Sequence, residues 1–251
     1  MNYDSDFEDG FAHTSLGDMH FKHHPGSGEK IIFLHGLGAN VLVWKRLVGY
    51  LPGAMDIYLV DLMGHGESDA PDIDYTVSMQ FQALREFIAL QNNGDSFVFG
   101  HSHGGWIAAY YASQPCACKG IILEDTAGIK EQFDDITAAG EVDSRREEML
   151  RNIMMINSNK EYVMRSTLNS EFGTEELSGD LLSKIAKPVK LIWGRDDKTV
   201  PLKYGMLLNQ KLGGSTIDII DDAGHDPHYD QPEKVKDAII GFIAKATSHP
   251  L

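Results

Sequence analysis

Short apolar runs alternate with stretches of helical period along most of the chain. Lys30–Leu34, Asp56–Val60, Ser96–Phe99, Gly120–Glu124, Val189–Trp193 and Thr216–Ile220 each end in Gly, His or acidic residues. Runs of about four to six residues with this character fit strands buried on both faces, with polar groups gathered at their carboxyl ends. Between the runs, Val77, Phe81, Leu84 and Ile88 share one helical face and predict a helix over Thr76–Leu90. Val235, Ile239 and Phe242 do the same near the end of the chain, with Pro232 placed for a first helical turn. Strands alternating with helices predict the α/β class, with a mostly parallel central sheet flanked by helices.

The alternation breaks between residues 127 and 180, where no strand-like run occurs. Polar helical pieces are expected there at Glu141–Ile156, Lys160–Leu168 and Thr174–Ile185. The stretch is either an ordinary helical excursion or a lid between strands. Its methionines, Met149, Met154, Met155 and Met164, suit core filling and also a flexible cover over an apolar pocket.

Composition narrows the function classes. The 251 residues are 42% hydrophobic and 24% charged, ordinary for a compact domain. The formal charge of −15 disfavours nucleic acid and anionic membrane surfaces as partners. No apolar run approaches the ~18 residues of a membrane span. Met1–Gly10 is acidic without a basic residue, the opposite of a signal peptide, so a cytoplasmic location is expected. The two cysteines, Cys116 and Cys118, would point to opposite faces of an extended segment and are read as reduced small hydrophobes.

Gly100-His101-Ser102-His103-Gly104 matches G-x-S-x-G. The motif alone is weak, but it follows the apolar run Ser96–Phe99 and precedes the helix-like run Gly105–Ala112. A serine on such a strand-to-helix turn is pushed out of the sheet edge, and glycines flank it because side chains there would meet neighbouring backbone. The helix N-terminus aims N–H groups at any negative charge formed beside it. An idle serine in a glycine-rich turn is the bland alternative.

At these residues the chain resembles the α/β-hydrolase fold family, and the resemblance runs over nearly its whole length. His35-Gly36-Leu37-Gly38 is similar to the family's oxyanion loop, and Asp61-Leu62-Met63-Gly64-His65-Gly66-Glu67-Ser68 to its D-x-x-G-H-G-x-S loop, which is read as structural. The resemblance implies a core of residues 1–126 and 181–251, with residues 127–180 forming a helical cap inserted after the family's sixth strand, here Gly120–Glu124. It also implies a triad in the order Ser, acid, His: Ser102 as nucleophile, Asp197 as acid and His225 as base. Asp196 and Asp125 remain rivals for the acid, and His228 for the base. The backbone N–H groups of Leu37 and His103 are the implied oxyanion donors. His35 is expected to serve loop packing.

A serine at this turn suits acyl transfer to water, so the expected activity is hydrolysis of a small carboxylic ester through an acyl-enzyme. Other readings share the fold. Carbon–carbon-bond hydrolases and prolyl aminopeptidases use the same triad, the latter needing carboxylates for a substrate amine; Glu141, Glu147, Glu148, Glu161, Glu171, Glu175 and Glu176 are available. The run His101–Trp106 is similar to that of cofactor-independent dioxygenases, whose acid would fall on Glu124 or Asp125. A slow-turnover receptor with an intact triad is the non-enzymatic alternative. The histidine pairs His23-His24 and His101-x-His103 lack a third ligand at metal spacing, the first pair lying in a hairpin-like segment, His20–Gly28, expected to be solvated. No G-x-G-x-x-G follows a strand, so neither metal nor dinucleotide cofactor is expected. The partner is a small-molecule substrate, and the chain is expected to be a monomer or homodimer.

Overall fold

Inward-facing apolar residues alternate along each central strand, and this periodicity sorts the interior into two layers. The computed structural model describes residues 1–92, 94–154, 160–170 and 175–248. Eight strands form one sheet: β1 (Glu8–Thr14), β2 (Gly17–His24), β3 (Lys30–Leu34), β4 (Asp56–Val60), β5 (Ser96–His101), β6 (Cys118–Glu124), β7 (Val189–Gly194) and β8 (Thr216–Ile220). Their order is β1-β2-β4-β3-β5-β6-β7-β8, antiparallel from β1 to β4 and parallel from there on. Ile32, Leu34, Val60 and Val98 face one layer, while Ile31, Phe33, Leu59 and Phe99 face the other.

Helices α1 (Lys45–Val48), α2 (Val77–Leu90) and α3 (His103–Ser113) follow β3, β4 and β5. Among the described residues, four helices stand between β6 and β7: α4 (Lys130–Ala138), α5 (Val142–Met154), α6 (Glu161–Ser170) and α7 (Gly179–Leu182). Then come α8 (Leu202–Lys211), α9 (Pro227–Asp230) and α10 (Pro232–Ser248). Helix α2 starts where its periodicity predicts, with Thr76 as N-cap accepting from the Met79 N–H. Among the described residues, no helix is long and apolar enough to cross a membrane.

Several local expectations are corrected. The N-terminal hairpin is β1–β2, closed at Ser15-Leu16, rather than a polar segment beginning at His20. His23 is half-buried, its Nε2 2.7 Å from Asp56 Oδ1 and its ring 4.1 Å from that of Tyr58. His24 bonds the carbonyls of Asp6 and Gly53. Helix α4 lies in a stretch where no helix was expected. The last piece, expected over Thr174–Ile185, is only the four-residue α7: Leu177 bridges in extended form to Ile129, and Ser178 caps the turn behind it. Met155, Ile156, Glu171 and Thr174 lie outside the described residues. The two cysteines do not diverge. Cys116 precedes β6 in irregular backbone, so its Sγ reaches within 3.7 Å of Cys118 Sγ. The hydrogen bond from Cys118 brings the Cys116 thiol down to about 7, and the same bond, with burial, holds Cys118 up.

The loop Asp61–Ser68 ties the sheet edge together. Asp61, fully buried, accepts from the N–H groups of Val41 (2.8 Å) and Glu67 (3.0 Å) and pairs with His20 Nδ1 (2.8 Å). Ser68 Oγ donates to the Asp61 carbonyl and accepts from the His20 N–H. Removing one member of such a set leaves buried polar groups unpaired. Asp61→Ala should therefore cost about 3 kcal/mol or more. The expected reading is a thermal midpoint roughly 6–12 °C below that of the unaltered chain, measured calorimetrically.

Candidate active site

Ser102 stands between β5 and α3 with φ 51° and ψ −115°, a left-handed conformation that non-glycine residues rarely adopt. Its surroundings impose it. The Ser102 N–H donates to the Glu124 carbonyl at 2.9 Å, and its carbonyl accepts from Trp106 and Ala127, both at 3.1 Å. A Cβ on Gly100 would overlap the Gly104 carbonyl, and one on Gly104 would overlap that of Leu34. The two glycines are thus what lets β5, α3 and β3 close around the turn. Strain of this kind costs about 1–3 kcal/mol and persists only where packing over-determines it.

The structure brings Ser102, His225 and Asp197 together from three separate loops. His225 Nε2 lies 3.0 Å from Ser102 Oγ, and His225 Nδ1 lies 2.8 Å from Asp197 Oδ2. Asp197 is buried, and its other oxygen accepts from the N–H groups of Thr199 (2.7 Å) and Val200 (3.0 Å). A carboxylate held at both oxygens fixes the Nδ1–H tautomer of the imidazole and leaves Nε2 as acceptor toward the hydroxyl. The acid loop and base loop are joined: the Asp196 N–H donates to the Ala223 carbonyl at 3.0 Å, and Gly194 packs directly on Gly224. The rivals lie elsewhere. Asp196 is exposed, and His228 is buried against Glu124 rather than at the serine.

A second buried layer underlies these residues and had no signal in the sequence. Glu124 Oε2 lies 2.6 Å from His228 Nδ1. Burial lowers the His228 imidazole and the Glu124 carboxylate more than restores it, while burial also raises Glu124; the pair shares one proton. Burial, with His228 and His225 nearby, holds His101 well below the usual histidine range. Neutral His101 donates its Nε2–H to the His225 carbonyl at 2.7 Å and so pins the backbone of that residue. Donor atoms of His101, Glu124 and His228 lie within 4.8 Å of one another, a spacing open to a metal ion, but two of the three are already joined by the Glu124–His228 hydrogen bond.

Asp125, the remaining rival, also adopts a left-handed conformation, φ 41°, and its Oδ1 accepts from the Gly194 N–H at 3.0 Å. Burial, with Asp197 and Glu124 as neighbouring carboxylates, pushes its carboxyl well above the usual range. Asp125 lies beside Asp197, and it is Asp197 whose oxygen reaches His225 Nδ1.

Leu37 follows Gly36 in the loop after β3, and His103 begins α3; both line a cavity with Ser102. His35 holds the first loop in place. Its Nδ1–H donates to the Gly36 carbonyl at 2.8 Å and its Nε2 accepts from the Leu62 N–H at 3.1 Å, with burial keeping it neutral. Two cavities meet at Ser102. One, of 330 Å³, lies under α4 and α5 and is walled by Phe133, Ile136, Met149 and Val200. The other, of 810 Å³, runs past His225 between Leu42, Val43, Ile153 and Tyr229. Of the described glutamates in the 127–180 stretch, only Glu148 lines either cavity.

The raised Asp125 carboxyl carries a pH signature. An acid whose pKa is higher folded than unfolded adds stability below about pH 4, and that stability is lost as pH rises and the unfolded chain ionises. Asp125→Asn cannot ionise. Its unfolding free energy should gain on that of the unaltered protein between about pH 4 and pH 7, by about 1.4 kcal/mol per pH unit at most, read from parallel melts.

Comparison with known proteins bears on the family. The family described as Alpha/beta hydrolase family matches residues 31–238. A 2-hydroxy-6-oxo-6-(2'-aminophenyl)hexa-2,4-dienoic acid hydrolase of Metapseudomonas resinovorans is 25% identical, over 88% of this chain and 86% of its own. The human monoacylglycerol lipase ABHD6 is 24% identical, over 89% of this chain and 78% of its own. Among solved structures, a thermophilic esterase from Thermogutta terrifontis superposes with a TM-score of 0.78 at 22% identity, covering 95% of this chain and 99% of the esterase. With its eight-stranded sheet, the serine turn after β5 and a family match across most of its length, the chain belongs to the alpha/beta hydrolase family.

Proposed function

We propose that the protein is a serine hydrolase that cleaves a small carboxylic ester, with Ser102 as nucleophile, His225 as general base and acid, and Asp197 as the group that orients His225. The observation that carries this is the unbroken hydrogen-bond chain Ser102 Oγ, His225 Nε2, His225 Nδ1, Asp197 Oδ2, with links of 3.0 and 2.8 Å. A serine hydroxyl is a poor nucleophile until a base takes its proton, and an imidazole becomes that base only when its tautomer is fixed and its cation stabilised. Three loops of one sheet edge supply these requirements in reaching order.

In this reading His225 removes the Ser102 proton as Oγ attacks the ester carbonyl carbon. The developing oxyanion is met by the N–H groups of Leu37 and His103, the latter at the start of a helix whose first N–H groups have no intrahelical acceptor. The protonated His225 gives its Nε2–H to the departing alcohol oxygen. Water then attacks the acyl-enzyme, again through His225, and the acid is released. Helices α4–α7 and their connections, residues 127–180, act as a cap over the site. An esterase and a monoacylglycerol lipase among the similar proteins support ester chemistry. The dienoic acid hydrolase keeps cleavage of a carbon–carbon bond as the second reading.

Labelling with a fluorophosphonate tests the nucleophile directly. The unaltered protein should label at Ser102, and Ser102→Ala and His225→Ala should lose nearly all reactivity; label retained by Ser102→Ala would remove the assignment. Turnover of a short ester should exceed that of an amide or a dienone by a wide margin. Asp197→Asn should melt close to the unaltered protein yet lose about 10⁴-fold in kcat, because the amide favours the wrong imidazole tautomer.

A further inference from the structure

The two cavities at Ser102 are unequal, and His225 belongs to only one of them. The 810 Å³ cavity has His225 in its wall; the 330 Å³ cavity has His103 and not His225. Around a tetrahedral carbon bonded to Ser102 Oγ, three directions remain. The oxyanion turns to the N–H groups of Leu37 and His103. The departing oxygen must reach His225 Nε2, since that nitrogen carries the only proton in position to neutralise it. The third substituent has the remaining space.

We infer that the acyl group occupies the 330 Å³ cavity and the alcohol the 810 Å³ cavity, so that the substrate is an ester of a short-to-medium apolar acid with a larger, mainly apolar alcohol. This rests on the serine-hydrolase reading above. At ~30 Å³ per water-sized group the smaller cavity holds about ten non-hydrogen atoms. Its end is fixed rather than yielding. Phe133 packs on Trp106 with ring centroids 5.5 Å apart, and Trp106 Nε1 donates to the Glu175 carbonyl at 2.8 Å. Gln132, beside Phe133, donates to the Thr199 carbonyl at 3.0 Å and ties α4 to the loop that carries Asp197. The cavity opens past the exposed Glu148, Lys198 and Thr199, so an acyl chain longer than the cavity would leave its apolar wall for charged surface. The larger cavity reaches the surface at Leu42 and Tyr229, both 58% exposed, where an extended alcohol can continue toward solvent.

Ile136 is the specificity residue of the acyl side and Val43 that of the alcohol side; each is partly buried and lines one cavity only. The test pairs p-nitrophenyl esters of acids from two to sixteen carbons with acetate esters of alcohols of increasing size. Ile136→Trp should lower kcat/KM for octanoyl esters at least tenfold more than for acetyl esters. Ile136→Ala should move the optimum to longer acids. Val43→Trp should leave the acyl profile unchanged and lower kcat/KM tenfold for acetates of the large alcohols. Retained fluorophosphonate labelling at Ser102 shows that each variant keeps its site. An acyl profile that answers to Val43→Trp and not to Ile136→Trp, or to neither, in labelled protein overturns the cavity assignment alone. An unaltered protein that neither labels nor cleaves any ester overturns the hydrolase reading and this inference with it.

Discussion

One hydrogen bond, Ser102 Oγ to His225 Nε2, joins groups 123 residues apart in the chain. Neither loop would hold its position alone. Ser102 sits in a left-handed conformation because two glycines admit neighbouring carbonyls, and because Glu124, Trp106 and Ala127 bind its backbone. His225 is held through its side chain by Asp197 and through its carbonyl by His101. The parallel register from β3 to β8 sets the ends of five strands side by side, so that short loops suffice to bring these groups within reach.

Buried acids concentrate at the same edge. Glu124, Asp125 and Asp197 are all buried, and three neighbouring carboxylates cannot all be ionised there at tolerable cost. The structure separates their roles. Asp197 receives two N–H groups and an imidazole; Glu124 shares a proton with His228; Asp125, with one N–H donor, stays neutral. Side-chain direction and the hydrogen bonds at each oxygen, rather than position in the chain, distinguish the acid that faces His225. A neutral Asp125 also lessens the repulsion that a second carboxylate would place on Asp197.

What the sequence revealed, and what it hid, follows from the same physics. Strands buried on both faces are continuous apolar runs and were legible from β3 to β7, while β8, half-exposed at the sheet edge, was legible from its isoleucines. The β1–β2 hairpin was not, because β1 buries little besides Ala12 and the buried run of β2, Met19-His20-Phe21, is interrupted by a histidine and flanked by polar residues. Helix α4 escaped because its buried face is little more than Gln132 and Phe133. The serine was singled out by its strand, glycine-flanked turn and helix, whereas the acid and the histidine were candidates only through the family resemblance. Spacing did not separate Asp197 from Asp196; that needed the direction of the side chain. The Glu124–His228–His101 layer and the pairing of Cys116 with Cys118 depend on which side chains meet across the sheet, for which one sequence holds no record.

The cavities belong to this last kind. Their walls are drawn from the loop after β3, from α4 and α5, from the Asp197 loop and from the residues around His225, pieces that are remote in sequence and unremarkable singly. The side chains at the sheet edge are buried and hydrogen-bonded, whereas Ile136 and Val43 pack only part of their surface. Chemistry and selectivity are thereby carried by different residues. Relatives described as monoacylglycerol lipase, esterase and dienoic acid hydrolase at 22–25% identity fit the general rule that one fold serves several functions.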